Sequence, residues 1–188
     1  MTDMVIGFIG LGLIGGSIAK GLKRAWPDVK ILAYMRTRSK LEIAVQDGIV
    51  DEILDGVGEQ LRMCDILFLC TPVEYNASYL REIGSYLKDG AIVTDVGSTK
   101  VDIHQTVREL GMEHCFVGGH PMAGSEKTGY ENATDHLLEN AYYIITPTPH
   151  SRQEDVEKMI AIAQLIGSLP IVLDYEKHDR IVAAISHL

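Results

Sequence analysis

The chain opens with Val5-Ile6-Gly7-Phe8-Ile9-Gly10-Leu11-Gly12-Leu13-Ile14-Gly15-Gly16-Ser17, an apolar run that leads directly into closely spaced glycines. Residues 5–9 are nearly all apolar, as a strand buried on both faces of a sheet requires. Beyond the glycines, apolar residues recur at helical spacing up to Ala25. The stretch therefore predicts a strand, a tight turn and a helix.

Three of these glycines have a physical role in such a unit. Gly10 makes the turn, Gly12 lets the backbone approach a pyrophosphate, and Gly15 lets the helix pack closely on the strand. Leu13 and Ile14 lie at the helix start, where free N–H groups and the positive end of the helix dipole favour phosphate. A glycine-rich turn need bind nothing, but a turn between this strand and this helix indicates dinucleotide binding.

The composition is that of an ordinary globular protein, since 46% of the 188 residues are hydrophobic and 23% are charged. This length suits one sizeable domain, or one domain and the beginning of another. We find no apolar run of membrane-spanning length and no signal-peptide pattern, so we expect a cytoplasmic protein. The net charge of −9 argues against nucleic acid or an anionic membrane as a partner. Cys64, Cys70 and Cys115 lack metal-ligand spacing and predict buried thiols and no metal site.

Strand and helix patterns alternate along the rest of the chain. This alternation predicts an α/β fold, a Rossmann-type doubly wound and mostly parallel sheet with helices on both faces. We assign residues 1–173 to this dinucleotide-binding domain and expect residues 174–188 to begin a further helix. The predicted strands after the first cover 30–34, 65–70, 91–95, 115–119, 141–146 and 169–173, and the helices begin near 39, 73, 100 and 152.

The turn after the second strand favours NADP over NAD. A NAD site carries an acidic residue about 20 residues beyond the glycines, where it binds the ribose hydroxyls. Met35 occupies that place, and Arg36, Arg38 and Lys40 follow it, with Ser39 as the expected N-cap of the next helix. Guanidinium groups suit a 2′-phosphate. The alternative is a solvated basic turn without a ligand.

Several predicted strand ends should converge on one crevice, because ligands bind beyond the carboxyl ends of the strands in open parallel sheets. The glycine turn, Thr71 with Pro72, Ser98, and His120 all follow such ends. We expect Thr71 and Pro72 to line the cofactor site.

His120 is the candidate general base. Of the seven histidines it is the one that directly follows an apolar strand. An imidazole there could accept the proton of a substrate hydroxyl, because its ordinary pKa lies near neutrality. A histidine between glycine and proline is also a common turn residue, and the spacing alone leaves both interpretations open.

Other polar residues of the predicted helices receive structural interpretations. Thr99 and Asp102 resemble a capping box, which makes Lys100 an ordinary surface cation. We expect His104 and His178 to lie in polar helical surroundings.

Four segments, in order and spread over the whole chain, resemble the signatures of the prephenate dehydrogenase family. The most specific is the one that contains His-Pro-Met-Ala-Gly. The resemblance implies that His120 bonds the ring hydroxyl of prephenate and takes its proton, and that Ser98 supports this hydroxyl and His120. It also implies that Ser186 and His187 belong to the substrate side of the cleft. The segments are Gly10-Leu11-Gly12-Leu13-Ile14-Gly15-Gly16-Ser17, Asp95-Val96-Gly97-Ser98-Thr99-Lys100, Gly118-Gly119-His120-Pro121-Met122-Ala123-Gly124-Ser125-Glu126 and Ser186-His187-Leu188.

The resemblance implies oxidative decarboxylation of prephenate to 4-hydroxyphenylpyruvate in tyrosine biosynthesis, with hydride transfer to NAD(P). It also implies that the family's chain continues into a helical domain that makes a homodimer and supplies an arginine for the substrate. We therefore expect residues 174–188 to begin the helix that connects to this absent domain. A truncated form of this kind should bind nucleotide, turn over prephenate weakly or not at all, and expose Ile181, Val182 and Ile185.

Three alternatives remain. The substrate could be arogenate, since the group that distinguishes it from prephenate would meet residues outside this chain. The chain could be another Rossmann hydroxy-acid dehydrogenase in which His120 is a turn residue. In a different class of protein, it could be a nucleotide-sensing module without chemistry, in which Ser98 and His120 are structural.

Overall fold

In a computed structural model that describes residues 3–186, strands and helices alternate along the chain. Each predicted strand and helix is present, with boundaries within a few residues of the expected ones, and a two-residue strand at Glu52–Ile53 was not predicted. The strands are β1 Val5–Ile9, β2 Lys30–Tyr34, β3 Glu52–Ile53, β4 Ile66–Leu69, β5 Ile92–Asp95, β6 Val117–Pro121, β7 Tyr142–Pro147 and β8 Leu169–Val172. The helices are α1 Leu13–Ala25, α2 Arg38–Gln46, α3 Val73–Ile83, α4 Val101–Glu109, α5 Gln153–Leu165 and α6 Tyr175–Ser186.

The strands form two adjoining sheets. Five parallel strands follow the order β3-β2-β1-β4-β5, and three more follow the order β6-β7-β8. Within the second sheet β6 pairs antiparallel with β7, whereas β7 and β8 are parallel. A parallel bridge between Val93 and Phe116 places the start of β6 beside β5. The carboxyl ends of β1, β4, β5 and β6 therefore share one edge.

Both faces of the parallel sheet are buried, which confirms the prediction from the apolar runs. Along β4, Ile66 and Phe68 belong to one apolar cluster, and Leu67 and Leu69 belong to another. Successive side chains of a strand point to opposite faces, so the two clusters lie on opposite sides of the sheet. Helices α1 and α5 contribute to the first cluster, and α3 and α4 to the second.

One predicted helix cap is wrong in position. Helix α2 begins at Arg38 with Thr37 at its N-cap, so Ser39 lies inside the first turn and is exposed. An N-cap side chain must precede the helix to reach its free N–H groups, and Ser39 cannot do so.

The predicted capping box of α4 is also wrong. The backbone N–H groups of Lys100 and Val101 donate to the carboxylate of Asp179 on α6, at 2.8 and 2.9 Å. Thr99 and Asp102 make no side-chain cap, because a carboxylate from a distant helix already occupies the helix N-terminus. Within residues 3–186, no helix has the length and apolar character to cross a membrane.

Candidate active site

The glycine turn has the geometry that its sequence predicts. Gly10 has a φ of +87°, which favours glycine in this turn. A Cβ on Gly15 would lie 2.8 Å from the carbonyl oxygen of Gly10, so α1 approaches β1 more closely than a side chain allows. A Cβ on Gly12 would meet no atom of the described chain within 4 Å. Gly12 therefore faces open space, where a ligand could approach the backbone.

Two neighbouring cavities adjoin this turn. The first has a volume of about 210 Å³ and is bordered by Gly10, Gly12 and Met35. The second has a volume of about 260 Å³ and extends along α3 past Tyr75. Both are lined by Arg36, Thr71, Pro72 and Tyr79. The glycine turn after β1, Arg36 after β2, and Thr71 and Pro72 after β4 are thus brought together, with Leu13 and Ile14 in the first turn of α1.

The three predicted cations have different surroundings. The Arg36 guanidinium carbon lies 5.2 Å from the centre of the Tyr75 ring, and Arg36 lines both cavities. Arg38 Nη1 lies 3.3 Å from Asp55 Oδ1, and Lys40 is exposed. Neither residue borders these cavities. Arg36 is therefore the cation best placed for a group bound beside the glycine turn.

His120 lies within β6, opposite Ile144 of β7, and is half-buried. Its Nδ1 lies 2.9 Å from Nε2 of His178 on α6. Burial, followed by the nearby His178 and Lys100, lowers the pKa of His120 to about 4. The ring is therefore neutral near pH 7 and has a lone pair available to accept a proton.

His178 lies on a helix and contacts polar groups, as expected, but its side chain is buried against His120 and Asp179. His104 is buried as well, stacked on Tyr175 with ring centres 4.2 Å apart. Its Nε2 lies 3.1 Å from the Thr146 hydroxyl, and burial lowers its pKa to about 4. Helix α6 carries His178 and covers His104 through Tyr175. The polar residues around the two histidines in sequence do not indicate this long-range contact.

Lys100 is not a surface cation, because its side chain is fully buried. Its Nζ forms an ion pair with Asp95 and donates a 2.7 Å hydrogen bond to the Gly119 carbonyl. Asp95 in turn accepts the N–H groups of Gly97 at 2.9 Å and Gly119 at 3.2 Å. Burial lowers the pKa of Lys100, although Asp95 opposes this shift by favouring the charged form.

The Asp95–Lys100 pair joins the end of β5 to β6 next to His120. The capping pattern did not indicate this role. A signal for it was present, since Asp95 and Lys100 are the first and last residues of one of the four segments that resemble the family.

The remaining predicted site residues are less constrained. Ser98 is exposed and makes no hydrogen bond to His120 in the described chain. Ser186 ends α6, but its side chain and the whole of His187 lie outside the described residues. Between residues 3 and 186, no group of three or more histidine, cysteine or acidic side chains is arranged to hold a metal ion.

A parallel sheet whose first strand enters a helix through this glycine turn defines a Rossmann-type nucleotide-binding domain. The family model described as "Prephenate dehydrogenase, nucleotide-binding domain" matches residues 18–172. The chain belongs to the prephenate dehydrogenase family.

Known proteins resemble the chain over nearly all of its length. It is 38% identical to a prephenate dehydrogenase of Lactococcus lactis, over 95% of this chain and 49% of that protein. It is 35% identical to a prephenate dehydrogenase of Bacillus subtilis, over 100% of this chain and 51% of that protein. The chain thus spans about half the length of these relatives.

Solved structures agree with this comparison. A prephenate dehydrogenase of Aquifex aeolicus, in complex with hydroxyphenyl propionate and NAD+, matches with a TM-score of 0.92 and 29% identity, covering 100% of this chain and 65% of that one. An arogenate dehydrogenase of Synechocystis matches with a TM-score of 0.91 and 35% identity, covering 98% and 64%.

Proposed function

We propose that the chain is the nucleotide-binding part of a dehydrogenase that converts prephenate to 4-hydroxyphenylpyruvate with loss of CO2. The observation that carries this proposal is the neutral imidazole of His120 at the same sheet edge as the glycine turn. A base and a nucleotide site at one edge are what the oxidation of a hydroxyl group requires.

In this proposal His120 takes the proton of the C4 hydroxyl while hydride leaves C4. A bound nicotinamide supplies the hydride acceptor. The resulting ring ketone is conjugated to the carbon that bears the carboxylate, so loss of CO2 restores an aromatic ring. His120 needs only to hold the hydroxyl and accept its proton, and Ser98 would support both groups from the end of β5.

The chain's own residues fit a dinucleotide. The open space beside Gly12 and the start of α1 would take the pyrophosphate. Arg36 would bind the 2′-phosphate of NADP, with Arg38, Ser39 and Lys40 nearby, whereas no acidic side chain stands at Met35. NADP preference is therefore our proposal, although the Aquifex relative was solved with NAD+.

Arogenate is the second candidate substrate, because the Synechocystis relative is an arogenate dehydrogenase and is 35% identical to this chain. Comparing turnover of the two substrates distinguishes them. Turnover of a simple 3-hydroxy acid, but of neither prephenate nor arogenate, would instead support a different hydroxy-acid dehydrogenase.

We further propose that residues 174–188 begin the connection from the nucleotide-binding domain, residues 1–173, to a helical dimerisation domain. Ser186 and His187 would lie on the substrate side of the cleft. Two observations support this: the chain spans about half of its relatives, and Ile181 and Ile185 on α6 are 40% and 56% exposed. Val182, which we expected to be exposed as well, is half-buried. The chain alone should then bind nucleotide but turn over prephenate poorly or not at all.

Replacement of His120 tests the catalytic assignment. In a protein extended by the second domain, we expect His120→Asn to reduce turnover by about 100-fold or more, the usual contribution of general base catalysis. Nucleotide affinity and the urea midpoint should be retained. His114→Asn, which removes an exposed imidazole, is the matched control. Full turnover by His120→Asn would contradict the proposal, and loss of folding would assign His120 a structural role.

A further inference from the structure

Three side chains form a continuous line from α6 to the candidate base. His120 Nδ1 lies 2.9 Å from His178 Nε2, and His178 Nδ1 lies 2.7 Å from Asp179 Oδ1. The two imidazole planes are nearly perpendicular, with ring centres 5.1 Å apart. His178 is 1% exposed, so its ring nitrogens are shielded from water.

The charge of Asp179 fixes the direction of the hydrogen bonds. Burial by itself raises the pKa of Asp179, but hydrogen bonds from Val101 N–H, His178 and Lys100 N–H outweigh it and hold the pKa below its ordinary value. Asp179 is therefore an ionised acceptor, and His178 Nδ1 must carry the proton between them. With this proton on Nδ1 as its only ring proton, His178 has its lone pair on Nε2, where it accepts the Nδ1–H of His120.

This direction leaves the lone pair of His120 on Nε2, an atom with no hydrogen-bond partner in the described part of the chain. We propose that His178 and Asp179 are positioning residues that hold His120 in its Nδ1–H tautomer and so make Nε2 the atom that accepts the substrate proton. The proposal rests on the proposed function for the source of that proton.

The substrate O–H bond breaks as an N–H bond forms at Nε2. The electron pair of the O–H bond forms the C=O bond as the C–H pair leaves as hydride, for which a bound nicotinamide would be the acceptor. The imidazolium that results faces Asp179 through His178, and the negative charge of Asp179 stabilises it. On the β5 side the Lys100 charge opposes the imidazolium, but Lys100 is paired with Asp95.

A purely structural role would also explain part of this arrangement, since Asp179 caps α4 and His178 fills space beneath α6. Asp179→Asn separates the two roles. Its amide oxygen can still accept the N–H groups of α4, whereas its NH2 group would donate to His178 Nδ1. The proton of His178 then moves to Nε2 and donates to His120 Nδ1, and the proton of His120 moves to Nε2.

The primary test is the tautomer of His120 in the 188-residue chain, measured at neutral pH by two-bond 1H–15N correlation NMR with 15N-histidine. We expect Nδ1–H in the unaltered chain and Nε2–H in Asp179→Asn. Glu176→Gln, which removes an exposed carboxylate from the first turn of the same helix, should leave His120 unchanged. An Nε2–H tautomer in the unaltered chain, which requires no variant to fold, would overturn the proposal, as would an unchanged tautomer in folded Asp179→Asn.

A kinetic test uses the protein extended by its second domain. We expect Asp179→Asn to lower kcat by about 100-fold or more while KM and nucleotide affinity change little, because base function is lost and binding is not. A change in KM with kcat unchanged would contradict the positioning role. If His120→Asn keeps its turnover while the tautomers behave as expected, the proposed function fails and the positioning role stands. If His120→Asn is inactive but His120 of the unaltered chain is in the Nε2–H tautomer, the positioning proposal fails and the proposed function stands.

Discussion

Replacing Lys100 with methionine should strongly destabilise the fold. The change removes the Nζ that pairs with Asp95 and donates to the Gly119 carbonyl. Asp95 is 1% exposed and would keep two backbone N–H donors but no cation. Breaking a buried pair by removing one partner costs about 3–5 kcal/mol, because the other charge stays buried and uncompensated. We therefore expect the free energy of unfolding to fall by this amount.

Urea denaturation at neutral pH measures this loss, and Lys88→Met is the matched control. Lys88 Nζ lies 2.6 Å from Asp65, but the two side chains are 36% and 33% exposed, so the control should lose only about 0–1 kcal/mol. Adding Asp95→Asn to Lys100→Met should restore part of the stability, because the buried charge disappears with its partner. A Lys100→Met chain as stable as the Lys88→Met chain would refute the reasoning.

Three further predictions concern the turn, a buried histidine and the cofactor. Gly12→Ala, at a helix N-cap, should cost no more than about 1 kcal/mol of stability yet weaken nucleotide binding at least about tenfold. Gly15→Ala should lower the free energy of unfolding by about 1–3 kcal/mol in urea denaturation, because the Gly10 carbonyl crowds the new Cβ. Folding lowers the pKa of His104 from 6.5 to about 4, so the unfolded chain binds more protons than the folded chain between these pH values. The urea midpoint should therefore fall as the pH drops from 6.5 to 4, and it should fall less steeply in His104→Phe. An equal slope in the two chains would contradict this prediction. Arg36→Ala should weaken NADP more than NAD in calorimetric titrations, and equal weakening would remove Arg36 from the 2′-phosphate site.

The fold was predictable because its signals are local. A run such as Ile66–Leu69 is apolar at every position and must be buried on both faces. The glycine turn constrains its own neighbours through close contacts between Gly10 and Gly15. Strand and helix order therefore followed from short stretches of sequence.

The site was only partly predictable because its contacts join distant residues. His120 and His178 are 58 positions apart, and Lys100 and Asp179 are 79 apart. Neither partner has a neighbour in sequence that indicates the other. The capping pattern of Thr99 and Asp102 therefore predicted that Lys100 is a surface cation, and it predicted a cap that Asp179 provides instead. Such pairings depend on where α6 packs, which local periodicity does not determine.

The measurement that most directly tests the central claim is titration of the 188-residue chain with NADP and with NAD, by calorimetry or nicotinamide fluorescence. We predict that the folded chain binds NADP more tightly than NAD and that Gly12→Ala loses most of this affinity. A folded chain that binds neither nucleotide would contradict the account, because the glycine turn would then be a turn and nothing more.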